Sequence, residues 1–296
     1  MSLANITEID AARCIGCGSC VRVCPERSLG LVEGTARVIL DASLQCGHCA
    51  AVCPEAAVAV PGLEAPAYRS PQLNGGRAAR VAAADLAALM AMRRSCRCYR
   101  DEPLERHLLE DLVRIGASAP SGTNSQAWSF SLLPDRAAVL RLGEAVADFF
   151  RLLERVAGSR AARLASRLAP GDPLGTYWRE YHQSVAEALD GWDARGDDRL
   201  FHGAPAVILI ASRPGATCPT EDALLAAGQI LLAAESLGLG TCLVGFAVEA
   251  LRRDPRIRRR LGLPAGEKVR AAITVGVPDV DYQRPAGRWP PPLRTL

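Results

Sequence analysis

The stretch Cys14–Pro25, CIGCGSCVRVCP, carries four cysteines at the spacing C-x2-C-x2-C-x3-C and ends in Cys-Pro. A second stretch, Asp41–Pro54, reads DASLQCGHCAAVCP. It keeps the same beat through Cys46, Cys49 and Cys53, but Ser43 stands where its first cysteine is due. Seven of the eleven cysteines therefore crowd into residues 14–53. Gaps of two and three residues, in a chain whose start MSLANITEID lacks signal-peptide character, point to metal ligation rather than cross-links. A Gly turn, VEGTA, separates the two runs, and the second ends in AVAV, so residues 1–60 read as an internal repeat. A unit this small needs a metal or disulfides to hold its fold.

Three thiolates at these gaps wrap one face of an iron–sulfur cubane, and the cysteine before proline points away to ligate another cluster. Structural zinc also favours CxxC pairs, but not a triplet followed by Cys-Pro. Gly16, Gly18 and Gly47 permit tight loops around such a group. Residues 1–60 thus resemble a bacterial two-cluster ferredoxin. The resemblance implies one [4Fe-4S] cluster held by Cys14, Cys17, Cys20 and Cys53. A second would use Cys24, Cys46, Cys49 and position 43. Four outcomes stay open there. Ser43 ligates through a deprotonated hydroxyl, a three-iron cluster leaves the corner bare, Asp41 or water completes it, or the site is vacant. Three cysteines in position favour some cluster.

The chain has 296 residues, 49% of them apolar and 23% charged, with a net charge of +3. That length suits one large domain beside a small one, and the charge is too low to argue for nucleic acid. Lys268 is the sole lysine and no GxxxxGK[ST] run occurs, which excludes a P-loop. No apolar run is long enough to span a bilayer, so a cytoplasmic protein is expected.

Residues 61–77, PGLEAPAYRSPQLNGGR, read as a linker. A second domain is expected over 78–296. Helical patterns cover Val81–Met92, Leu104–Ala117 and residues 136–157, and WSFSLLP alternates like a strand. Residues 158–200 are polar and Arg-rich, and read as helices with a mobile segment. Residues 204–212 and 269–278 read as buried strands, and 221–240 as an apolar helix with small residues on several faces. Helices outnumber strands without a βαβ rhythm, so the fold class is α+β.

Four further stretches share an order: RRSCRCY (Arg93–Tyr99), APSGTNSQAWSF (Ala119–Phe130), LGLGTCLVGF (Leu237–Phe246) and YQRPAGRWP in the tail. Together they resemble the nitroreductase family of FMN enzymes over about residues 80–296. A preceding ferredoxin matches its ferredoxin–nitroreductase fusions. The resemblance implies a mainly antiparallel sheet flanked by helices. It places Arg93, Arg94, Ser95 and Arg288 at the FMN phosphate, where guanidinium forks suit a dianion. It sets Arg97 at the N1/O2 edge of the ring, where a cation stabilises reduced flavin. Pro120, Ser121, Gly122 and Asn124 would pack on flavin from the neighbouring subunit, and the backbone of Leu243, Val244 and Gly245 would lie near N5 and O4. Ala127 stands where family members commonly have Pro.

GLGTC follows a helix and lacks a third glycine, so it is no dinucleotide loop. Cys96 and Cys98, two apart in an extended stretch, should face opposite sides and are read as buried spectators. Cys218, Cys242 and Trp128 read as packing residues. His48 sits in a cluster loop, His107 on a solvated helix face, and His182 and His202 read as structural. LRRDPRIRRR (251–260) reads as a solvated face. The resemblance implies an FMN-dependent oxidoreductase, fed through its own clusters, that reduces a small organic acceptor: a nitroaromatic, a quinone or an activated alkene. No catalytic acid or base stands out. The donor is a reduced ferredoxin-like carrier, or NAD(P)H with the clusters passing electrons outward. A non-enzymatic electron-transfer subunit is the other alternative. A homodimer is expected, with the small-residue faces of 221–240 at the interface.

Overall fold

Gly18 and Gly47, at φ 70° and 73°, each open a five-residue helix that closes on a cysteine in extended geometry, Cys24 and Cys53. Left-handed backbone costs glycine nothing, so each cysteine run can turn sharply before its helix. The computed structural model describes residues 3–64, 67–73 and 81–295. It divides into two units, Met1–Ala67 with Pro120–Gln126, and Tyr68–Ala119 with Ala127–Leu296. Part of the expected linker (65, 66 and 74–77) and the expected domain start at 78–80 lie outside the described residues.

The first unit runs β1 (Glu8–Ile9), α1 (Ser19–Val23), β2 (Leu29–Val32), β3 (Thr35–Val38), α2 (His48–Val52) and β4 (Val58–Ala59). β1 and β4 pair antiparallel, and β2 and β3 form a hairpin. The hairpin turns through Glu33 and Gly34, both at positive φ, as a two-residue connection between twisted strands requires. Its core is small: Cys20, Leu29, Ala36 and Val58 are buried, and Cys14, Cys24, Cys49 and Cys53 pack against them. Thiols thus make up five of the twelve side chains in this core cluster.

The second unit continues with α3 (Ala83–Met92), α4 (Arg106–Gly116), β5 (Trp128–Leu133), α5 (Arg136–Gly158), α6 (Arg160–Ser166), α7 (Pro173–Glu180) and α8 (His182–Arg195). Then follow β6 (Ala206–Ser212), α9 (Pro219–Ser236), β7 (Gly240–Leu243), α10 (Gly245–Arg253), α11 (Pro255–Arg260) and β8 (Lys268–Gly276). Its four strands form one antiparallel sheet in the order β5-β6-β8-β7. β6 is buried on both faces, as its unbroken apolar run requires. Val207 and Leu209 join a core with α5 and α10, while Ile208 and Ile210 join one with α4 and α9.

Residues 160–195 form three helices, α6 to α8, in line with the helical reading of 158–200. Two further details bear on the expectations. The small-residue face of α9 is spent inside the chain: Ala223, Ala226, Ala227 and Ile230 are buried, and Gly116 of α4 sits so close that a Cβ there would lie 2.8 Å from Ile230. Lastly, residues 68–73 are pinned rather than free. The buried Asp111 carboxylate accepts from Arg69 N (3.0 Å), Ser70 N (2.8 Å), Ser70 Oγ (2.7 Å) and Arg114 Nη1 (2.9 Å). Burial raises its pKa, but these donors outweigh burial and hold it below the usual carboxylate range.

Candidate functional site

The first unit gathers its cysteines around two cavities. Cys14, Cys17, Cys20 and Cys53 line one, and Cys24, Cys46, Cys49 and Ser43 line the other. Cys53 and Cys24 therefore face the cavity of the opposite run. They do so because α1 and α2 each carry their last cysteine one helical turn beyond the triplet, at an extended C-cap. The two runs align position for position, Gly18 with Gly47, Cys20 with Cys49 and Cys24 with Cys53, so Cys14 aligns with Ser43. The aligned pair Gly16 and Gln45 both take positive φ, 68° and 48°. At Gly16 no side chain fits, because a Cβ would lie 2.2 Å from Gly34 O.

Among the described residues no three His, Cys, Asp or Glu side chains converge on a single-ion point. Each cavity is lined by cysteines of both runs, an arrangement that fits a multi-iron group bound at its corners. Backbone donors already face the sulfurs: Ala36 N–H points to Cys14 Sγ (3.4 Å) and Ala57 N–H to Cys53 Sγ (3.2 Å). Burial raises the Cys20 and Cys49 thiols above their ordinary pKa. At Cys24 burial also pushes upward, but the Ser28 hydroxyl at 3.3 Å and nearby backbone donors prevail and lower it. Hydrogen bonding to Ser19 lowers exposed Cys17.

Ser43 is fixed by reciprocal backbone bonds to Leu3 (2.8 Å each), and its Oγ accepts from Gln45 N–H (2.9 Å). Asp41 does not line the cavity; its carboxylate accepts from Asn5 N–H (2.7 Å). His48 does line it. The loop Pro120–Gln126 belongs to this unit: Asn124 Nδ2 donates to the carbonyls of Leu44 (3.1 Å) and Gln45 (3.2 Å), beside Ser43. Asn124 is a flavin-contact residue by resemblance, and the sequence carries no sign of this bond.

In the second unit the segment after α3 rides along β7. Ser95 bridges to Thr241, and Cys96 N–H donates to Thr241 O (2.8 Å). Two distant motifs thereby meet, because Arg97 and residues 243–245 line one cavity of about 760 Å3. Gly240 is needed for this approach, since a Cβ there would lie 2.7 Å from Cys96 Sγ. Cys96 is buried and Cys98 exposed, which corrects the reading of both as buried spectators. Val244 N–H is committed to Ala272 O (2.9 Å). Free backbone donors at this edge come instead from the first turn of α10, which starts at Gly245.

Arg93, Arg94, Ser95 and Arg288 do not line the cavity. Arg94 turns back on the end of α3, donating to Arg93 O (2.8 Å) and Ala91 O (3.3 Å). Arg288 lies exposed in the tail, and among the described residues its side chain reaches Gly287 O (3.1 Å). Phe149 and Phe150 of α5, Tyr177 of α7, Tyr181 and Arg199 complete the wall, together with His202, which was expected to be structural. Glu154 holds this wall in place by accepting from Tyr177 Oη and bonding His182 Nδ1. His182 stacks on Trp178 (3.7 Å, 14°), outside the cavity. Burial, then nearby Arg97, keeps the pKa of His202 below the usual histidine value.

A unit with two thiol-lined cavities joined to an α+β unit with a large mixed pocket defines an iron–sulfur redox protein. Residues 90–277 match the model of the nitroreductase family, and residues 6–54 that of the 4Fe-4S dicluster domain. The chain belongs to the nitroreductase family and carries an N-terminal 4Fe-4S dicluster domain, the arrangement of a ferredoxin–nitroreductase fusion. It is 27% identical over 212 residues to the 4-nitrobenzoate reductase of Nocardioides sp. (strain LMS-CY), covering 66% of this chain and 81% of that protein. It is 24% identical to the iodotyrosine deiodinase of Danio rerio over 67% of this chain, but that match spans only 61% of the deiodinase. An FMN-bound nitroreductase structure from Desulfitobacterium hafniense shares the fold, with TM-score 0.50, 23% identity, and coverage of 69% of this chain and 94% of that one. Another, from Bacteroides fragilis, has TM-score 0.50, 20% identity, and coverage of 72% and 99%. No helix among the described residues is long and apolar enough to cross a membrane.

Proposed function

We propose that this chain is an FMN-dependent oxidoreductase that takes electrons through its own iron–sulfur unit and reduces a small organic acceptor such as a nitroaromatic, a quinone or an activated alkene. The observation that carries this reading is that the two cysteine runs, crossed over, supply one four-donor set per cavity, while Arg97 and residues 243–245 converge on the large pocket. The clusters supply one-electron transfer, and FMN supplies the two-electron chemistry of the acceptor.

This chain's residues do the rest. Cys14, Cys17, Cys20 and Cys53 hold the first cluster, and Cys24, Cys46 and Cys49 hold three corners of the second. Ser43 takes the fourth corner, since it lines the cavity and Gln45 N–H already faces its oxygen as it would face an alkoxide. Arg97 provides positive charge at the flavin ring edge, and the first turn of α10 provides backbone donors. Arg93, Arg94, Ser95 and Arg288 bind the phosphate, for which Arg94 must leave its bonds at the end of α3. Pro120, Ser121, Gly122 and Asn124 belong to the same reading, as flavin contacts within a homodimer. The 4-nitrobenzoate reductase relative supports an aromatic nitro acceptor.

Anaerobic stopped-flow mixing tests the direction of flow. Reduced ferredoxin should bleach the flavin at catalytic rates, with the clusters reduced first; equally fast bleaching by NADH while the clusters stay oxidised would reverse the order. Ser43→Ala should convert the second site to a three-iron centre, giving an EPR signal in the oxidised protein that is absent before substitution. Ser43→Cys should stay silent when oxidised. An unchanged Ser43→Ala spectrum would remove Ser43 from the ligand set.

A further inference from the structure

The pocket of the second unit has a charge arrangement that its flavin chemistry does not use up. Its aromatic wall is continuous. Phe150 meets Phe246 edge to face (5.6 Å, 72°), Phe246 meets Tyr181 (6.0 Å, 84°), and Phe149 packs on Phe150 (5.1 Å, 84°). Such a wall suits a planar ring. Three arginines and one carboxylate also line it: Arg97, Arg199, Arg253 and Glu249.

These charges are not equivalent. Glu249 pairs with both Arg252 and Arg253, so Arg253 is tied to a carboxylate at that end, which stays net positive. Arg97 has no carboxylate within ion-pair distance among the described residues. Arg199 has only Glu187, at 3.8 Å, with both side chains about half exposed (48% and 56%). Pairs of that kind hold weakly and yield readily to a better partner. Asp198, its sequence neighbour, is unavailable, being bonded to Arg136 (2.7 Å) and to Leu200 and Phe201 N–H (3.2 and 2.8 Å). His202 feels Arg97 and Arg199 as neighbouring cations and, depressed in pKa, adds hydrogen-bonding capacity without charge. If Arg97 serves the flavin edge, Arg199 remains as a cation beside the aromatic wall with no fixed counter-charge.

We infer that the physiological acceptor is an aromatic anion, its ring lying on the Phe149–Phe246 wall and its carboxylate or phenolate met by Arg199. This rests on reading the cavity as the flavin and acceptor site, and it narrows the acceptor to one charge class. Arg199 binds and orients; it takes no part in electron transfer. A guanidinium–carboxylate contact in a partly desolvated pocket discriminates against an uncharged isostere by roughly 10–100-fold.

The test is a binding titration of the oxidised holoprotein with 4-nitrobenzoate and with 4-nitrobenzamide, read from the visible flavin spectrum and by calorimetry. The benzoate should bind roughly 10–100-fold tighter at low salt. Arg199→Gln should abolish that preference and leave the amide affinity unchanged, and Arg199→Lys should restore part of it. Equal affinities in the parent protein, or a preference that survives Arg199→Gln, would overturn the inference. Calorimetry separates the two readings. Colourless protein that still prefers the benzoate supports this inference and fails the flavin reading, whereas flavin-loaded protein without preference fails this inference alone.

Discussion

Cys53→Ala should abolish the four-iron cluster of the first cysteine run, although Cys53 belongs to the second. It lines the cavity of Cys14, Cys17 and Cys20, and its Sγ faces Ala57 N–H. Cys24→Ala should instead strike the second site, beside Cys46 and Cys49. The effect on folding should be large. The core cluster of the first unit is small, with Cys20, Leu29, Ala36 and Val58 buried in it, so cluster binding supplies much of its folding free energy. Loss of one cluster should cost at least about 3 kcal/mol and make the unit protease-sensitive. EPR of the dithionite-reduced variants, with iron counted per chain, checks the crossing. A Cys53→Ala protein that keeps the first cluster and loses the second would show that each run holds its own.

The second large effect lies at Asp111. Asp111→Ala should destabilise the second unit by about 3 kcal/mol, because it removes the buried carboxylate to which Arg69 N–H, Ser70 N–H and Ser70 Oγ donate and leaves Arg114 only its longer contact to Glu110 (4.0 Å). The pH dependence follows from the depressed pKa. An unfolded Asp titrates near about 4. Its lower folded value means that the stabilisation is fully present above that pH and is lost as pH falls through the folded pKa. Urea unfolding of the holoprotein should therefore show wild type losing stability below about pH 4 more steeply than Asp111→Asn. Iron content should not change in either variant. Parallel acid profiles would mean that Asp111 carries no net charge effect.

The ligand runs were legible because their information is local: thiol spacing and glycine positions define each loop without reference to the rest of the chain. The buried strands β6 and β8 were legible for a similar reason, β6 as a continuous apolar run and β8 as a largely apolar one. β7 and α10 were not. Residues 240–253 pass from strand to helix across Val244 and Gly245 with no polar turn to mark the boundary. The pocket wall was hidden differently. Arg199, His202, Tyr177 and Tyr181 lie in a polar, Arg-rich segment whose helices are held by long-range contacts such as Glu154 to Tyr177 and His182. The bond from Asn124 to Leu44 and Gln45 links residues some eighty positions apart, beyond the reach of any local pattern. Ser43 lies between these cases, since the repeat locates it opposite Cys14 while only the cavity lining brings its side chain beside Cys24, Cys46 and Cys49.

Two clusters and one flavin are proposed to share this chain, and iron, acid-labile sulfide and FMN counted per chain on anaerobically prepared protein measure this. About eight iron with matching sulfide and one FMN are expected. Zinc in place of iron, or no FMN released on denaturation, would contradict the proposal.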